Sequence, residues 1–321
     1  MTTKNGRRSM RNSKNSQRSM RVGLIGLGEV GRCLATGLLS AGIRVDGVDA
    51  ALNAQTSSSL ADKGLTIQPA LGNWIREMDT VMVCVNGGAS NNVNRLLATH
   101  LKTGQVVLDL TTASPQQKHH SAELVEARGG AFLDVAIMGS IAMKGFATSM
   151  LVAGDVEKAE SAYVLDILQQ SGMSLRNMLG SAAGDAICLK LIRSVYTKGA
   201  EALAVKCLVT AEHFGVRESL YEVLADLDDI PIKHFMNTLV TTHVLHAERR
   251  MKEAGEASQL LAEAGVSTQL MDSVQEAFAD TVSIDPRWES NELPSIEQAI
   301  AQLGRATKRQ PVTAENLESD L

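Results

Sequence analysis

Residues 22–31 read Val-Gly-Leu-Ile-Gly-Leu-Gly-Glu-Val-Gly, and this stretch decides the fold of the chain. Its first residues are mostly apolar and predict a short buried strand. Residues 29–41 place apolar side chains at helical spacing and predict an amphipathic helix. A glycine-rich turn joins the two, so the stretch predicts the opening strand, turn and helix of a βαβ unit.

The glycines of this turn have separate structural purposes. Gly26 permits a tight turn, Gly28 lets a pyrophosphate approach the backbone, and Gly31 lets the helix pack closely on the strand. The N-terminus of the helix adds free N–H groups and a partial positive charge. The turn therefore predicts dinucleotide binding, and its candidate cofactor contacts are Gly26, Leu27, Gly28, Glu29, Val30 and Gly31.

Asp49 follows the apolar run at 43–48, which predicts the second strand of the unit. A carboxylate at this place can bind both ribose hydroxyls of NAD, and it repels the additional phosphate of NADP. The residues that follow, Ala50 to Leu52, supply no arginine to receive that phosphate. The sequence therefore predicts NAD as the cofactor, with NADP as the alternative.

The rest of the chain divides into two parts of different character. Apolar runs separated by helix-length segments predict parallel strands with crossover connections, and they lie at 22–26, 43–48, 81–85, 106–110, 131–135 and 150–154. After a further helix at 155–171, only helical patterns follow, at 182–213, 217–227, 231–254, 256–264, 267–280 and 294–303. The predicted fold is an α/β Rossmann-type doubly wound parallel sheet followed by an all-α C-terminal domain.

These patterns predict four segments along the chain. They are a disordered basic leader at 1–20, an NAD(P)-binding Rossmann domain at 21–176, an all-helical substrate and dimerisation domain at 177–304, and a polar tail at 305–321. The leader carries six basic residues and no acid, and it lacks the apolar core of a signal peptide. A transit peptide, a nucleic-acid-binding arm and a dispensable extension before Met20 remain open for it.

Charge and composition exclude several classes of partner. The net charge is −5 although the leader is basic, so the body of the chain is acidic and a nucleic-acid partner is not expected. No run approaches the roughly 20 apolar residues that cross a bilayer. The four cysteines form no C-x-x-C pair and lie in apolar runs, which predicts buried free thiols and a cytoplasmic location; they are Cys33, Cys84, Cys188 and Cys207.

Three further motifs carry a resemblance to a known family. Residues 109–115, Asp-Leu-Thr-Thr-Ala-Ser-Pro, are similar to D-x-S-T-x-S-P, and residues 134–140, Asp-Val-Ala-Ile-Met-Gly-Ser, are similar to D-A-P-V-S-G-G. Residues 184–190, Gly-Asp-Ala-Ile-Cys-Leu-Lys, are similar to G-x-G-x-x-x-K. With their order and spacing, roughly residues 21–300 resemble the β-hydroxyacid dehydrogenase superfamily, which includes 3-hydroxyisobutyrate and 6-phosphogluconate dehydrogenases.

The resemblance implies roles for particular residues. It makes Lys190 the catalytic lysine, and it implies a homodimer formed through the helical half. The substrate-binding candidates are Thr112, Met138, Gly139, Ser140, Arg193 and Ser194. Met138 and Ser140 replace the family's Ser and final Gly, and Arg193 and Ser194 replace its Asn-Asn pair. These residues, together with the His-Ala-x-Arg-Arg of residues 246–250, are similar to a branch with a 6-phosphogluconate dehydrogenase-like C-terminal domain.

The residue types themselves fit this chemistry. A lysine whose pKa is lowered by burial or by a nearby cation can take the proton of a hydroxyl, and Lys190 begins a polar stripe on an otherwise apolar helix. The alternative is an ordinary solvated lysine. Arg193 can pair with both oxygens of a carboxylate or phosphate. Val85, Asn86 and Thr112 follow predicted strands, and we expect them beside the nicotinamide.

The leading function is therefore NAD(P)-dependent oxidation of a small anionic β-hydroxyacid or sugar acid, with decarboxylation as a possible second step. Imine reduction is one alternative, and a dinucleotide-binding regulator without catalysis is another. No metal site is expected. The sequence His243-x-x-His246 has a spacing seen in metal sites but no third ligand, so both are interpreted as exposed helix histidines.

Overall fold

A computed structural model describes residues 20–283 and 292–306 of the chain. The predicted leader, apart from the buried Met20, and the predicted tail beyond residue 306 lie outside this description. Eight strands form one sheet. They are β1 (Arg21–Ile25), β2 (Arg44–Val48), β3 (Thr66–Ile67), β4 (Thr80–Val83), β5 (Val106–Asp109), β6 (Ala131–Ile137), β7 (Met150–Gly154) and β8 (Leu175–Asn177).

The strand order is β3-β2-β1-β4-β5-β6-β7-β8, and β1 to β6 run parallel. The prediction of a doubly wound, largely parallel sheet is thus confirmed. The predicted parallel direction of the strand at 150–154 was wrong, because β7 runs antiparallel to β6. A parallel return needs a crossover to the far end of the sheet. The connection from β6 instead holds only the one-turn helix α5 (Ile141–Lys144) and a short turn, so the chain re-enters the sheet from the same end.

Helices cover both faces of this sheet. Besides α5 they are α1 (Glu29–Ser40), α2 (Ala54–Asp62), α3 (Ser90–His100), α4 (Pro115–Glu126) and α6 (Ala159–Gln170). Neighbouring residues of one strand enter different cores, since Leu24 packs in one hydrophobic cluster and Ile25 in another. That alternation is expected where a strand is buried on both faces.

The remaining helices are α7 (Asp185–His213), α8 (Arg217–Leu224), α9 (Ile232–Glu263), α10 (Gln269–Ser283) and α11 (Ile296–Ala306). Contacts divide the chain into two compact units between Val195 and Tyr196, inside α7. Residue 176, after which the sequence predicts the domain boundary, lies within the last strand, β8, and the predicted domain bounds stay a prediction.

Gly255 does not break a helix. The sequence predicted two helices, 231–254 and 256–264, but α9 is continuous through this glycine. A Cβ on Gly255 would lie 2.8 Å from Nε2 of Gln275 in α10. The glycine therefore serves the close packing of α9 on α10, which outweighs its weak helix propensity.

The cysteines are less buried than the sequence predicts, and one side of α7 exposes apolar residues. All four thiols are free, as predicted, but Cys207 is exposed and the other three are only partly buried. Apolar residues of α7 are exposed as well, and they are Leu191, Ile192, Val195, Tyr196 and Leu203. Among the described helices, none is both long and apolar enough to span a membrane.

Candidate active site

The glycine turn at residues 26–31 connects β1 to α1. Gly26 has a φ of +97°, and a Cβ there would lie 2.8 Å from the backbone of Cys84. A Cβ on Gly31 would overlap the carbonyl oxygen of Gly26. Gly26 and Gly31 are therefore required by the fold itself, as the tight turn and the close helix packing demand.

Gly28 differs from these two glycines. A Cβ at Gly28 meets no heavy atom within 4 Å, and its φ of −66° is open to any residue. No side chain caps the N-terminus of α1 at this position. The missing side chain and the free amides of the first helical turn together fit a bound pyrophosphate, so the residues present suit a dinucleotide.

Asp49 accepts hydrogen bonds from the glycine turn and from its own loop. Its Oδ2 accepts a hydrogen bond from the amide of Leu27 at 2.6 Å, and its Oδ1 accepts one from Ala51 at 2.8 Å. The sequence predicts this carboxylate at the cofactor ribose, and the structure adds its hydrogen bond to the glycine turn. Each oxygen keeps a second lone pair, so both roles are compatible.

The residues after β4 and β5 are brought against each other. Asn86 accepts a hydrogen bond from the amide of Ala89 at 2.9 Å, which starts a short helical turn after the half-buried Val85. A Cβ on Gly87 would lie only 2.9 Å from the carbonyl oxygen of Thr112, so the two loops touch. Asn86 and Thr112 are exposed at the carboxyl ends of adjacent strands, where ligands bind in open α/β sheets.

The segment after β6 continues this row of strand ends. Gly139 and Ser140 are exposed, and the carbonyl oxygen of Ser140 accepts hydrogen bonds from the amides of Met143 and Lys144. Met138 is half-buried and packs against a small apolar cluster that includes Ala186. Its side chain thus supports the segment from within.

Lys190 lies in the second turn of α7 and is half-buried. Burial, and after it the charge of Lys118, lower the pKa of Lys190, while Asp134 acts in the opposite sense. A lowered pKa is what a lysine needs in order to accept a proton near neutral pH. Ser194 donates its hydroxyl to the carbonyl oxygen of Lys190 at 2.9 Å, and Arg193 is exposed on the same helix.

A fully buried ion cluster lies under these residues. Asp109 of β5 and Asp134 of β6 are register partners on adjacent strands, and Lys118 of α4 extends to both. Its Nζ lies 3.0 Å from Oδ1 of Asp109 and 3.2 Å from Oδ1 of Asp134. The second contact is an ion pair by distance, although Asp134 Oδ1 makes no aligned hydrogen bond in the described part of the chain.

Burial by itself would raise the pKa of Asp109, but Lys118 and the hydrogen bonds from Thr111 outweigh it and lower that pKa below its usual range. Asp109 and Asp134 each begin a motif that is visible in the sequence, whereas Lys118 lies outside those motifs. The sequence did contain a signal for the burial of Lys118, because this lysine shares the buried face of α4 with Ser121, Ala122 and Val125.

His243 of α9 packs against α10 through its ring. His243 Nε2 lies 2.8 Å from Oγ1 of Thr281, and its ring stacks on Phe278 with a centroid separation of 4.9 Å. Both His243 and His246 are partly buried, so their predicted exposure was wrong; for His243 the cause is the packing of α10 on α9. In the described residues, no cluster of His, Cys, Asp and Glu could hold a metal ion.

Two family models match the chain. Residues 21–180 match the NAD binding domain of 6-phosphogluconate dehydrogenase, and residues 211–281 match a domain of unknown function. Among curated relatives, an uncharacterised protein of Methanothermus fervidus is 24% identical, over 75% of this chain and 90% of that protein. The 3-sulfolactaldehyde reductase of Escherichia coli is 28% identical; the match covers 60% of this chain and 64% of the reductase, just under two thirds.

Solved structures agree in fold. One is a conserved protein of unknown function described as similar to 3-hydroxyacid dehydrogenases; it is 27% identical with a TM-score of 0.57, over 82% of this chain and 98% of that one. A reductive aminase from Aspergillus terreus in complex with NADPH is 19% identical with a TM-score of 0.68, over 88% and 99% of the two chains, and this likeness concerns the fold alone. With its dinucleotide turn, its three motifs and these matches, the chain belongs to the β-hydroxyacid dehydrogenase superfamily.

Proposed function

We propose that this protein is an NAD(P)-dependent dehydrogenase that oxidises the hydroxyl group of a β-hydroxyacid or sugar-acid substrate. The observation that carries the proposal is the half-buried Lys190, whose pKa is lowered by burial and by Lys118. It lies on a helix whose first turn is bonded to Asp134 of β6. A base of this kind fits the retained family motif at residues 184–190.

In this proposal Lys190 Nζ accepts the hydroxyl proton of the substrate. When bound, the nicotinamide supplies the acceptor for the hydride that leaves the same carbon. Arg193 pairs with the substrate's anionic group, and Gly139 and Ser140 offer an amide and a hydroxyl to it. Thr112 and Ser194 are further substrate contacts, with Met138 shaping the segment from within. The product is a 3-keto acid when the hydroxyl is β to a carboxylate, and such an acid can lose carbon dioxide once its carbonyl is polarised.

The test is formation of reduced nicotinamide, followed by absorbance, over a panel of short hydroxy acids and sugar acids with either cofactor. We expect turnover with at least one β-hydroxyacid and none with simple alcohols. Reduction of imines without oxidation of any hydroxy acid would favour the second candidate, imine reduction. Cofactor binding without any turnover would favour the regulatory alternative.

We propose NAD as the preferred cofactor because the carboxylate of Asp49 lies at the end of β2 and is bonded to the amide of Leu27. Asp49→Asn keeps an oxygen for that amide and removes the negative charge. We expect NADPH affinity to rise about tenfold or more, because repulsion of the additional phosphate is relieved. Titrations with NADH and NADPH measure this, and Asp62→Asn, on the exposed surface of α2, is the matched control. An unchanged NADH-to-NADPH ratio in Asp49→Asn would refute the proposed role.

We also propose that the chain forms a homodimer, with a second copy covering the exposed apolar side of α7. Ile192 and Val195 are 61% and 77% exposed, and Val205 and Val209, further along the same helix, are 56% and 53% exposed. Contiguous apolar surface of this kind is uncommon on monomers. Light scattering should give twice the mass of one chain, and Val195→Glu should shift it toward the monomer.

The four free thiols fit the proposed cytoplasmic location.

A further inference from the structure

The proposed chemistry assigns Lys118 no contact with the substrate, yet this lysine is completely buried. Asp109 and Asp134 lie side by side on adjacent parallel strands, and two buried carboxylates at that spacing repel each other. Lys118 offsets one of the two negative charges, which leaves the cluster with a net charge of about −1. An apolar residue at this position would leave both carboxylates without a cation.

The second oxygen of Asp134 points to the start of α7. Asp134 Oδ2 accepts hydrogen bonds from the amide of Gly184 at 3.2 Å and from the amide of Ile187 at 2.9 Å. These are amides that a helix leaves unpaired at its N-terminus, and a negative charge is favourable there. Asp134 thus caps α7 from a neighbouring strand.

Lys190 follows Ile187 by three residues, which is close to one helical turn, so the capped turn leads directly to it. We propose that Lys118 and Asp134 form a positioning pair for Lys190: Lys118 holds Asp134 in place, and Asp134 holds the turn of α7 that carries Lys190. The inference deepens the proposed function, since it concerns the lysine assigned there as the base.

The two members of the pair also act on Lys190 with opposite signs. After burial, the charge of Lys118 lowers the pKa of Lys190, whereas Asp134 raises it. Charged or titratable groups on the elements around this turn include Lys118, His119, His120 and Glu123 of α4, Asp109 of β5, Asp134 of β6, and Asp185, Cys188 and Arg193 of α7 itself. Loss of Lys118 and loss of Asp134 should therefore move the titration of Lys190 in opposite directions.

The experiment is competitive labelling of the full chain with a trace of isotopic acetic anhydride at a series of pH values. Mass spectrometry then reads the acetylation rate of the peptide that contains Lys190, and Lys190→Arg identifies the signal. An amine reacts only when it is unprotonated, so the pH at which the rate rises reports the pKa of Lys190. The measurement requires neither cofactor nor substrate.

In the unmodified chain we expect Lys190 to react at lower pH than exposed lysines do. Lys118→Met should slow its labelling near neutral pH by on the order of tenfold, because a nearby cation is lost. Lys118→Met/Asp109→Asn should do the same while keeping the net charge of the cluster, which favours a folded protein. Asp134→Asn should speed the labelling. Lys158→Met, which removes an exposed lysine paired with Asp155, is the control and should change nothing.

An unchanged profile in the Lys118 variants would overturn the proposal. So would a shift of the Lys118 and Asp134 variants in the same direction, which a merely loosened helix would produce. If no variant folds, the unmodified chain decides, because a Lys190 that labels like an exposed lysine contradicts the proposal. Failure of the dehydrogenase assay with a shifted Lys190 profile would refute the proposed function and leave the positioning pair standing.

Discussion

Lys190→Ala is expected to lower kcat by about 10²–10⁴ while leaving the Kd for the nicotinamide cofactor unchanged. The reason is that the variant removes the group proposed to take the hydroxyl proton, whereas it leaves the glycine turn proposed to bind the pyrophosphate intact. Steady-state kinetics on the hydroxy acid found in the substrate panel, together with a cofactor titration, measure both quantities.

The matched control is Lys102→Ala, which removes an exposed lysine of the same unit. It should retain the activity of the unmodified protein. We also expect the rate of the unmodified enzyme to rise with pH as Lys190 loses its proton, at a lower pH than an ordinary lysine would require, since the pKa of Lys190 is lowered. A fully active Lys190→Ala would contradict its assignment as the base.

Gly28→Ala is expected to weaken cofactor binding by about tenfold or more without destabilising the fold. A methyl group at Gly28 meets nothing within 4 Å, and the backbone there suits any residue. It would, however, occupy the space through which a pyrophosphate approaches the amides of α1. Thermal unfolding and a titration with NADH separate the two effects.

Gly31→Ala provides the contrast in the same turn. Its methyl group would overlap the carbonyl oxygen of Gly26, so we expect a loss of stability of about 3 kcal/mol or more. Gly199→Ala, at a helical glycine with open space around it, should stabilise the fold by about 0.5–1 kcal/mol and leave binding unchanged. Equal cofactor affinity in Gly28→Ala and the unmodified protein would argue against a pyrophosphate at this turn.

Several site residues could be placed from the sequence because their neighbours in the chain determine their position. Asn86 and Thr112 each follow an apolar strand, and parallel strands end at the same edge of a sheet. Lys190 was found from a motif of seven consecutive residues. In each of these cases the informative pattern is local.

The residues whose surroundings the sequence did not predict depend on partners far away in the chain. Lys118 forms ion pairs with Asp109 and Asp134, which lie beside each other on adjacent strands. No local sequence pattern predicts that these three residues meet. Gly255 is helical because α10 packs on it. The hydrogen bond from the Leu27 amide to Asp49 links two strand ends 22 residues apart.

By itself, the sequence determined the βαβ opening, the largely parallel sheet, the helical second half and the identity of the candidate base. It could do so because strand and helix periodicities and the glycine turn are encoded within short windows. The tertiary structure alone decided the direction of β7, the pairing of Lys118 with Asp109 and Asp134, and the capping of α7 by Asp134. Those features arise from strand pairing and from the need to neutralise buried charges, which are settled only when distant segments meet.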